Sequence, residues 1–200
     1  MTDTITLVDM TDLSVYLPRM SLTAVMTAEE LLHLNLPNKR TELVRGTLVV
    51  HEPAGYRHGD VAMRLSAAIA PFVYAHQLGR VVAAETGFTL ARNPDTVRAP
   101  DVAFISRDHL PDPAPRGFAE LAPDLAVEVL SPGDRPGEVL AKVADWLNAG
   151  CRLDWIVDPR RVQGHVYRAD GSETSLAESE ALDAEDVIPG FSCVLRTIFS

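Results

Sequence analysis

Cysteine, lysine and aromatic residues are scarce in this chain of 200 residues, and long apolar runs are missing. The two cysteines, Cys151 and Cys193, form no C-x-x-C pair and are too few for a disulfide framework or a thiolate zinc cluster. The longest apolar run, Ala67 to Ala75, contains a proline and falls far short of the ~20 residues that a membrane helix needs. The first ten residues, M-T-D-T-I-T-L-V-D-M, carry acids where a secretory leader carries basic residues. These absences predict a reduced, cytoplasmic protein with no membrane segment. A G-x-S-x-G elbow and a G-x-x-x-x-G-K loop are absent too, so neither serine-hydrolase nor P-loop nucleotide chemistry is supported. No helix-turn-helix, zinc finger or aromatic-basic repeat supports sequence-specific recognition of nucleic acid.

What is present fits one domain, because 200 residues with 46% apolar content suffice for a single real core. The net charge of −10 argues at first against a polyanionic partner, since Lys and Arg contacts to phosphate supply most non-specific affinity. Its distribution changes that reading. Residues 1–35 hold five acids and one arginine, residues 169–200 hold seven acids and one arginine, and the stretch between them is neutral, with sixteen of each sign. Arginines at 40, 45, 57, 64, 92, 98 and 135 fall near the motifs described below and are candidates to line a phosphate track.

Two acids stand where acids do not belong. R-A-P-D-V-A-F-I (98–105) and A-P-D-L-A-V-E-V-L-S-P (122–132) read as buried strands, short apolar runs bounded by prolines. Asp101 sits at the mouth of the first and Glu128 in the middle of the second. An unpaired ionised acid there costs several kcal/mol by order of magnitude, unless a cation or hydrogen bonds meet it. Two such acids point to a shared cation.

Along the chain, residues 1–25 show no clear period and read as an N-terminal extension to a domain over 26–200. Thr27 with Glu30 forms a capping-box pattern ahead of a short helix. R-T-E-L-V-R-G-T-L-V-V-H predicts a hairpin turning at Gly46, with Glu42 near its start. Val61, Leu65, Ile69, Phe72 and Val73 predict a long helix from about 56 to 78, kinked or divided at Pro71 and closed by Gly79, with His58 near its start. Residues 80–84 and 87–91 read as strands, and the Asp101 strand is expected next. The proline-rich spacer 107–122 reads as a loop able to shape a groove. A helix over 137–148 is expected to turn Val139, Leu140, Val143, Trp146 and Leu147 inward, with Lys142 on the flank of that face. Glu138 and Lys142 can equally be a surface i, i+4 pair. Only two of the eighteen basic residues are lysine, however, so a plain surface cation at 142 would more commonly have been arginine. R-L-D-W-I-V-D-P and V-Q-G-H-V-Y-R predict a strand hairpin, with Asp154 and Asp158 as solvated or turn-capping acids. The acidic segment 170–186 reads as loop or edge, and the C-terminus as a short helix.

E-L-V-R-G at 42–46, R-A-P-D-V-A-F at 98–104, P-D-L-A-V-E-V-L-S-P at 123–132, Lys142, and D-W-I-V-D-P at 154–159 occur in an order that resembles the Uma2 family over residues 26–199. The resemblance implies an α/β fold of the restriction-endonuclease-like PD-(D/E)XK type, a central mixed sheet flanked by helices, and endonuclease activity. It implies Glu42, Asp101, Glu128 and Lys142 as catalytic residues, and His58 and Arg98 as substrate-binding ones. The general pattern of that fold places lysine two residues after the acid, where this chain has Leu130. Lys142, in the following helix, matches a lysine that has moved. Mg²⁺ or Mn²⁺ would be held by Asp101, Glu128 and the carbonyl of Val129, because these ions prefer oxygen ligands and keep several waters. Glu42 would complete the metal shell or act as base. The implied partners are nucleic acid, DNA in the first instance, and a second copy of the chain in a homodimer. The alternative from a different class is a non-catalytic module that binds nucleic acid or protein on the same fold.

Overall fold

The computed structural model describes residues 25–200. The expected N-terminal extension, but for Val25, lies outside the described residues. Helix α1 (Ala28–His33) is fixed by the capping box, with the Thr27 hydroxyl accepting from the Glu30 N–H at 3.2 Å and the Glu30 carboxylate accepting from the Thr27 N–H at 2.8 Å. Strands β1 (Arg40–Val44) and β2 (Thr47–His51) form the hairpin, and Arg45 and Gly46 both take positive φ in its two-residue turn. That is the backbone twist which tight antiparallel hairpins require.

Helix α2 (Tyr56–Ala75) runs unbroken past Pro71. Proline removes one backbone donor there, but the residue is solvent-exposed and the buried stripe Val61, Leu65, Ile69 and Val73 carries the helix through. Burial of each such aliphatic is worth roughly 1.5–3 kcal/mol, which outweighs the lost bond. The helix ends at Ala75, before the expected Gly79, which instead opens β3 (Gly79–Ala83). A Cβ at Gly79 would lie 2.0 Å from the Ile105 carbonyl oxygen, so the close approach of β3 to its neighbour requires glycine.

Strands β4 (Phe88–Ala91) and β5 (Thr96–Arg98) follow, then β6 (Val102–Ser106). Sequence reading missed β5 because three residues, one of them arginine, carry no period. Strand β5 pairs with β1 and β4, completing a four-stranded antiparallel sheet in the order β2-β1-β5-β4. The chain then crosses through Ala99-Pro100-Asp101 into a second sheet, with β7 (Leu125–Val129), β8 (Leu153–Asp158), β9 (Gln163–Arg168) and β10 (Glu173–Leu176) in the order β10-β9-β8-β7-β6-β3. Only β7 and β8 are parallel, joined by helix α3 (Pro136–Asn148), as a parallel pair needs a crossover of this length. A short pair, β11 (Ala181–Asp183) and β12 (Ser192–Val194), leads into α4 (Leu195–Phe199), which packs on α2.

The architecture is the mixed, helix-flanked sheet that the sequence implied. One core lies between α2, α4 and one face of the six-stranded sheet, the opposite face packs against Trp146 of α3, and a third cluster joins α1 to β1. Leu140 departs from expectation, being 51% exposed. The inward face of α3 centres on Val143 and Trp146, one turn further on. Asp158 caps the β8–β9 turn, accepting from the N–H groups of Arg160 and Arg161, while Asp154 is wholly buried rather than solvated. The spacer is pinned to β4 by hydrogen bonds between Thr89 and Ala119 and between Ala119 and Gly87, which sets Phe118 against Gly87. No helix among the described residues is long and apolar enough to cross a membrane.

Candidate active site

The two sheets meet at a corner, and the buried acids gather there. Glu42 comes from β1 in one sheet, Glu128 from β7 in the other, and Asp101 from the crossing between them. They line a cleft of about 1010 Å³ together with His58, Arg98, Val129 and Lys142. The sequence separates these residues by up to 100 positions, and only the sheet crossing brings them to one place.

Lys142 is the hub. Its ammonium donates to Glu128 Oε2 at 2.8 Å and lies 3.0 Å from Glu42 Oε1, so one cation bridges acids from both sheets. Burial opposes its charge, yet Glu128 and Glu42 more than restore it and raise its pKa above the ordinary lysine range. The surface pairing with Glu138 does not form; Glu138 instead lies 3.8 Å from Arg135. Position 142 faces the sheet because Val143 and Trp146 fix the roll of α3.

Glu42 is the most heavily bonded acid of the three. Its carboxylate accepts from Arg98 at 2.8 Å and from the Ala99 N–H at 2.9 Å, and His51 Nε2 stands 3.3 Å away. Burial works against its ionisation, but Lys142, His51, Arg98 and Ala99 outweigh it and hold the carboxyl well below the usual range. Glu128 experiences the opposite balance. Burial raises its pKa, the Lys142 ammonium lowers it, and the carboxylates of Asp101 and Glu42 raise it again, leaving it at about 7. Its second oxygen accepts the Trp146 indole N–H at 3.0 Å.

Asp101 accepts the Val129 N–H at 2.8 Å and pairs with His58 Nε2 at 2.9 Å, and Arg40 approaches to 3.7 Å. The other ring nitrogen of His58 lies 3.2 Å from the Ser131 hydroxyl. Arg98 is buried, and beyond Glu42 it donates to Asp145 at 3.0 and 2.6 Å. Its guanidinium therefore clamps β5 to β1 and α3.

Sequence reasoning missed His51, Arg40 as a partner of Asp101, Ser131, Asp145 and Trp146. The last two carried a usable signal, since they lie three and four residues after Lys142 and so share its side of the helix. The others depend on strand pairing across the corner.

A family model described as "Putative restriction endonuclease", Uma2, matches residues 28–197. The chain belongs to the Uma2 family. A solved structure similar to this Uma2 domain is that of "a putative nuclease belonging to DUF820" from Anabaena variabilis, with a TM-score of 0.76 at 20% identity over 87% of this chain and 97% of that one. At that identity the likeness shows the fold, a central mixed sheet flanked by helices. No curated protein matches the chain.

The donor set of this Uma2 corner suits a hard divalent cation. Among the described residues no three His, Cys, Asp or Glu side chains converge as a complete metal cage. Mg²⁺ and Mn²⁺ do not need one, because they bind through one or two carboxylates and keep their waters. Burial raises Glu128 most, and the carboxylates of Asp101 and Glu42 add to it; a divalent cation beside them would favour the ionised form.

Proposed function

We propose that this Uma2 domain is a metal-dependent endonuclease that hydrolyses phosphodiester bonds of nucleic acid, DNA in the first instance. The observation that carries the reading is the Lys142 ammonium shared between Glu128 and Glu42, beside Asp101, at the floor of an open cleft. Asp101, Glu128 and the carbonyl of Val129 are the residues that would hold Mg²⁺ or Mn²⁺. When bound, such a cation polarises the phosphoryl oxygen and eases deprotonation of water.

The chain's own residues then have separable tasks. Water adds to phosphorus, the bridging P–O bond breaks, and the departing oxygen takes a proton, so the products are a phosphate monoester and an alcohol. Lys142, held protonated, hydrogen-bonds the charge that gathers on the phosphate oxygens. The Glu42 carboxylate is engaged by Lys142, Arg98, His51 and the Ala99 N–H. Its task is to anchor Lys142 and, through Arg98, to fix α3 against the corner. His58 orients Asp101, its two ring nitrogens engaged by that carboxylate and by the Ser131 hydroxyl.

Mn²⁺-dependent nicking of supercoiled plasmid, or cleavage of single-stranded circles, is expected from the purified protein and is expected to vanish in EDTA. Asp101→Asn and Glu128→Gln are expected to cut at least about 10³-fold more slowly and to lose the heat of Mn²⁺ binding in calorimetry. Wild-type protein that takes up no Mn²⁺ and cuts neither substrate would replace the nuclease reading with that of a binding module. Cleavage that survives in Asp101→Asn would place the reaction elsewhere.

A further inference from the structure

Helix α3 grips one carboxylate at two points. Lys142 and Trp146 stand one turn apart on the same side of the helix, and each donates to a different oxygen of Glu128, the ammonium to Oε2 at 2.8 Å and the indole N–H to Oε1 at 3.0 Å. The last torsion of a glutamate is broad and roughly two-fold, so a carboxylate held at one oxygen alone can still turn. Held at both, it keeps one orientation.

The two donors are not equivalent. The ammonium rides on a flexible four-carbon stem, and the Lys142 side chain remains 19% exposed. The indole is rigid and wholly buried, clustered with Ala103 and Ala126 of the six-stranded sheet, and Phe88 of β4 meets its ring edge-on with centroids 6.0 Å apart. Since β4 belongs to the four-stranded sheet, the ring is seated against both sheets that form the corner. Its N–H therefore places Glu128 relative to both. The other tryptophan shows that packing does not demand such a bond. Trp155 on β8 is equally buried, in the core on the opposite face of the sheet, and its indole N–H has no hydrogen-bond partner among the described residues.

We propose that Trp146 is a positioning residue: its indole N–H holds Glu128 Oε1, so that Oε2 is the oxygen turned toward Lys142 and the divalent cation of the reaction. The inference rests on the nuclease reading and adds to it a residue that acts only through Glu128. Hydrogen-bond partners of a metal-binding carboxylate are commonly worth about 10- to 100-fold in metal affinity or activity.

The test compares, in the full chain, Trp146→Phe, which keeps a ring but removes the donor, with Trp155→Phe, which removes an indole whose N–H has no partner. Trp146→benzothienylalanine, with sulfur in place of the N–H, keeps the size of the ring should phenylalanine loosen the core. By calorimetry, both changes at Trp146 are expected to weaken Mn²⁺ binding about 10- to 100-fold and to slow single-turnover cleavage, with Trp155→Phe within about threefold of wild type. Proton–nitrogen correlation spectra give a readout that a purely structural tryptophan would not move. Of the two indole signals, that of Trp146 is expected to shift in Glu128→Gln and on addition of Mg²⁺, and that of Trp155 to stay. Wild-type Mn²⁺ affinity and cleavage in both Trp146 variants would overturn the proposal and keep the nuclease. An equal loss in Trp155→Phe, or an unmoved Trp146 signal in Glu128→Gln, would overturn it as well. Weakened Mn²⁺ binding in the Trp146 variants of a protein that cuts no nucleic acid would keep the positioning role and remove the nuclease. Wild-type protein that takes up no divalent cation would overturn both.

Discussion

Lys142→Met is expected to slow phosphodiester cleavage by about 10²–10³-fold, the usual effect of removing one preorganised donor from a developing anion. The same substitution is expected to destabilise the fold, because it leaves two acids at the corner without the cation between them. Breaking a buried pair from one side costs about 3–5 kcal/mol, and the 19% exposure of the Lys142 side chain places the effect toward the lower end. Glu128, already raised to about 7, relieves part of the loss by taking a proton, while Glu42 keeps Arg98 and the Ala99 N–H. The folded lysine titrates above its unfolded value, so its contribution is fully present below the unfolded pKa of about 10.4 and is lost only as pH rises through the folded one. The deficit of the variant is therefore expected throughout the neutral range. Single-turnover cleavage and urea denaturation measure the two effects separately. A variant that is less stable yet cuts within threefold of wild type would make Lys142 a purely structural cation. Lys142→Arg keeps the charge but replaces a compact ammonium with a planar fork, so it is expected to recover stability better than rate.

Asp154→Asn is expected to raise stability at pH 8 and to do much less at pH 5, because burial displaces the carboxyl upward and its ionisation opposes folding. Asp154 is fully buried on β8, and neither carboxylate oxygen has a hydrogen-bond partner. Its neighbours decide the sign. Burial raises its pKa well above the ordinary value, the charge of Glu128 raises it further, and Lys142 lowers it by less. Tyr167, its cross-strand partner, and Cys151 both feel its charge and are themselves pushed upward, chiefly by burial. A carboxyl whose folded pKa exceeds its unfolded one contributes stability below the unfolded pKa, and that contribution is lost as pH rises toward the folded value. Wild-type stability is thus expected to decline from about pH 4 upward, and asparagine, which does not titrate, to flatten the decline. Denaturation curves at several pH values check this directly. Parallel curves for wild type and variant would mean that Asp154 is ionised in the fold and has a partner.

Much of the corner's composition was legible because burial and charge conflict openly in the sequence. Asp101 and Glu128 stood out inside apolar runs, and Lys142 stood out in a chain that uses arginine nearly everywhere else. Asp154 stood in an equally apolar strand and was read as solvated, because its place near the strand start resembled a turn acid. What misled there is that solvent access at a strand end depends on what packs over it, here α3, and no local pattern encodes that. The kinked helix and the inward Leu140 failed for the same reason: the stripe that packs and the roll that a helix adopts are settled by the surface it meets.

The amino-acid sequence by itself determined the longer elements, the mixed helix-flanked sheet, the family and the identity of the charged residues that had to find one another. Alternation, capping and apolar runs are local, so the longer elements could be read from their own residues, whereas the short strands β5, β10 and β11 could not. Tertiary structure alone decided that Glu42 and Glu128, from different sheets, share one ammonium, that His51 and Trp146 steady them, and that Arg98 turns inward to a clamp. These are contacts between elements distant in sequence. Hydrogen-bond geometry across a sheet corner has no counterpart in the order of residues along a chain.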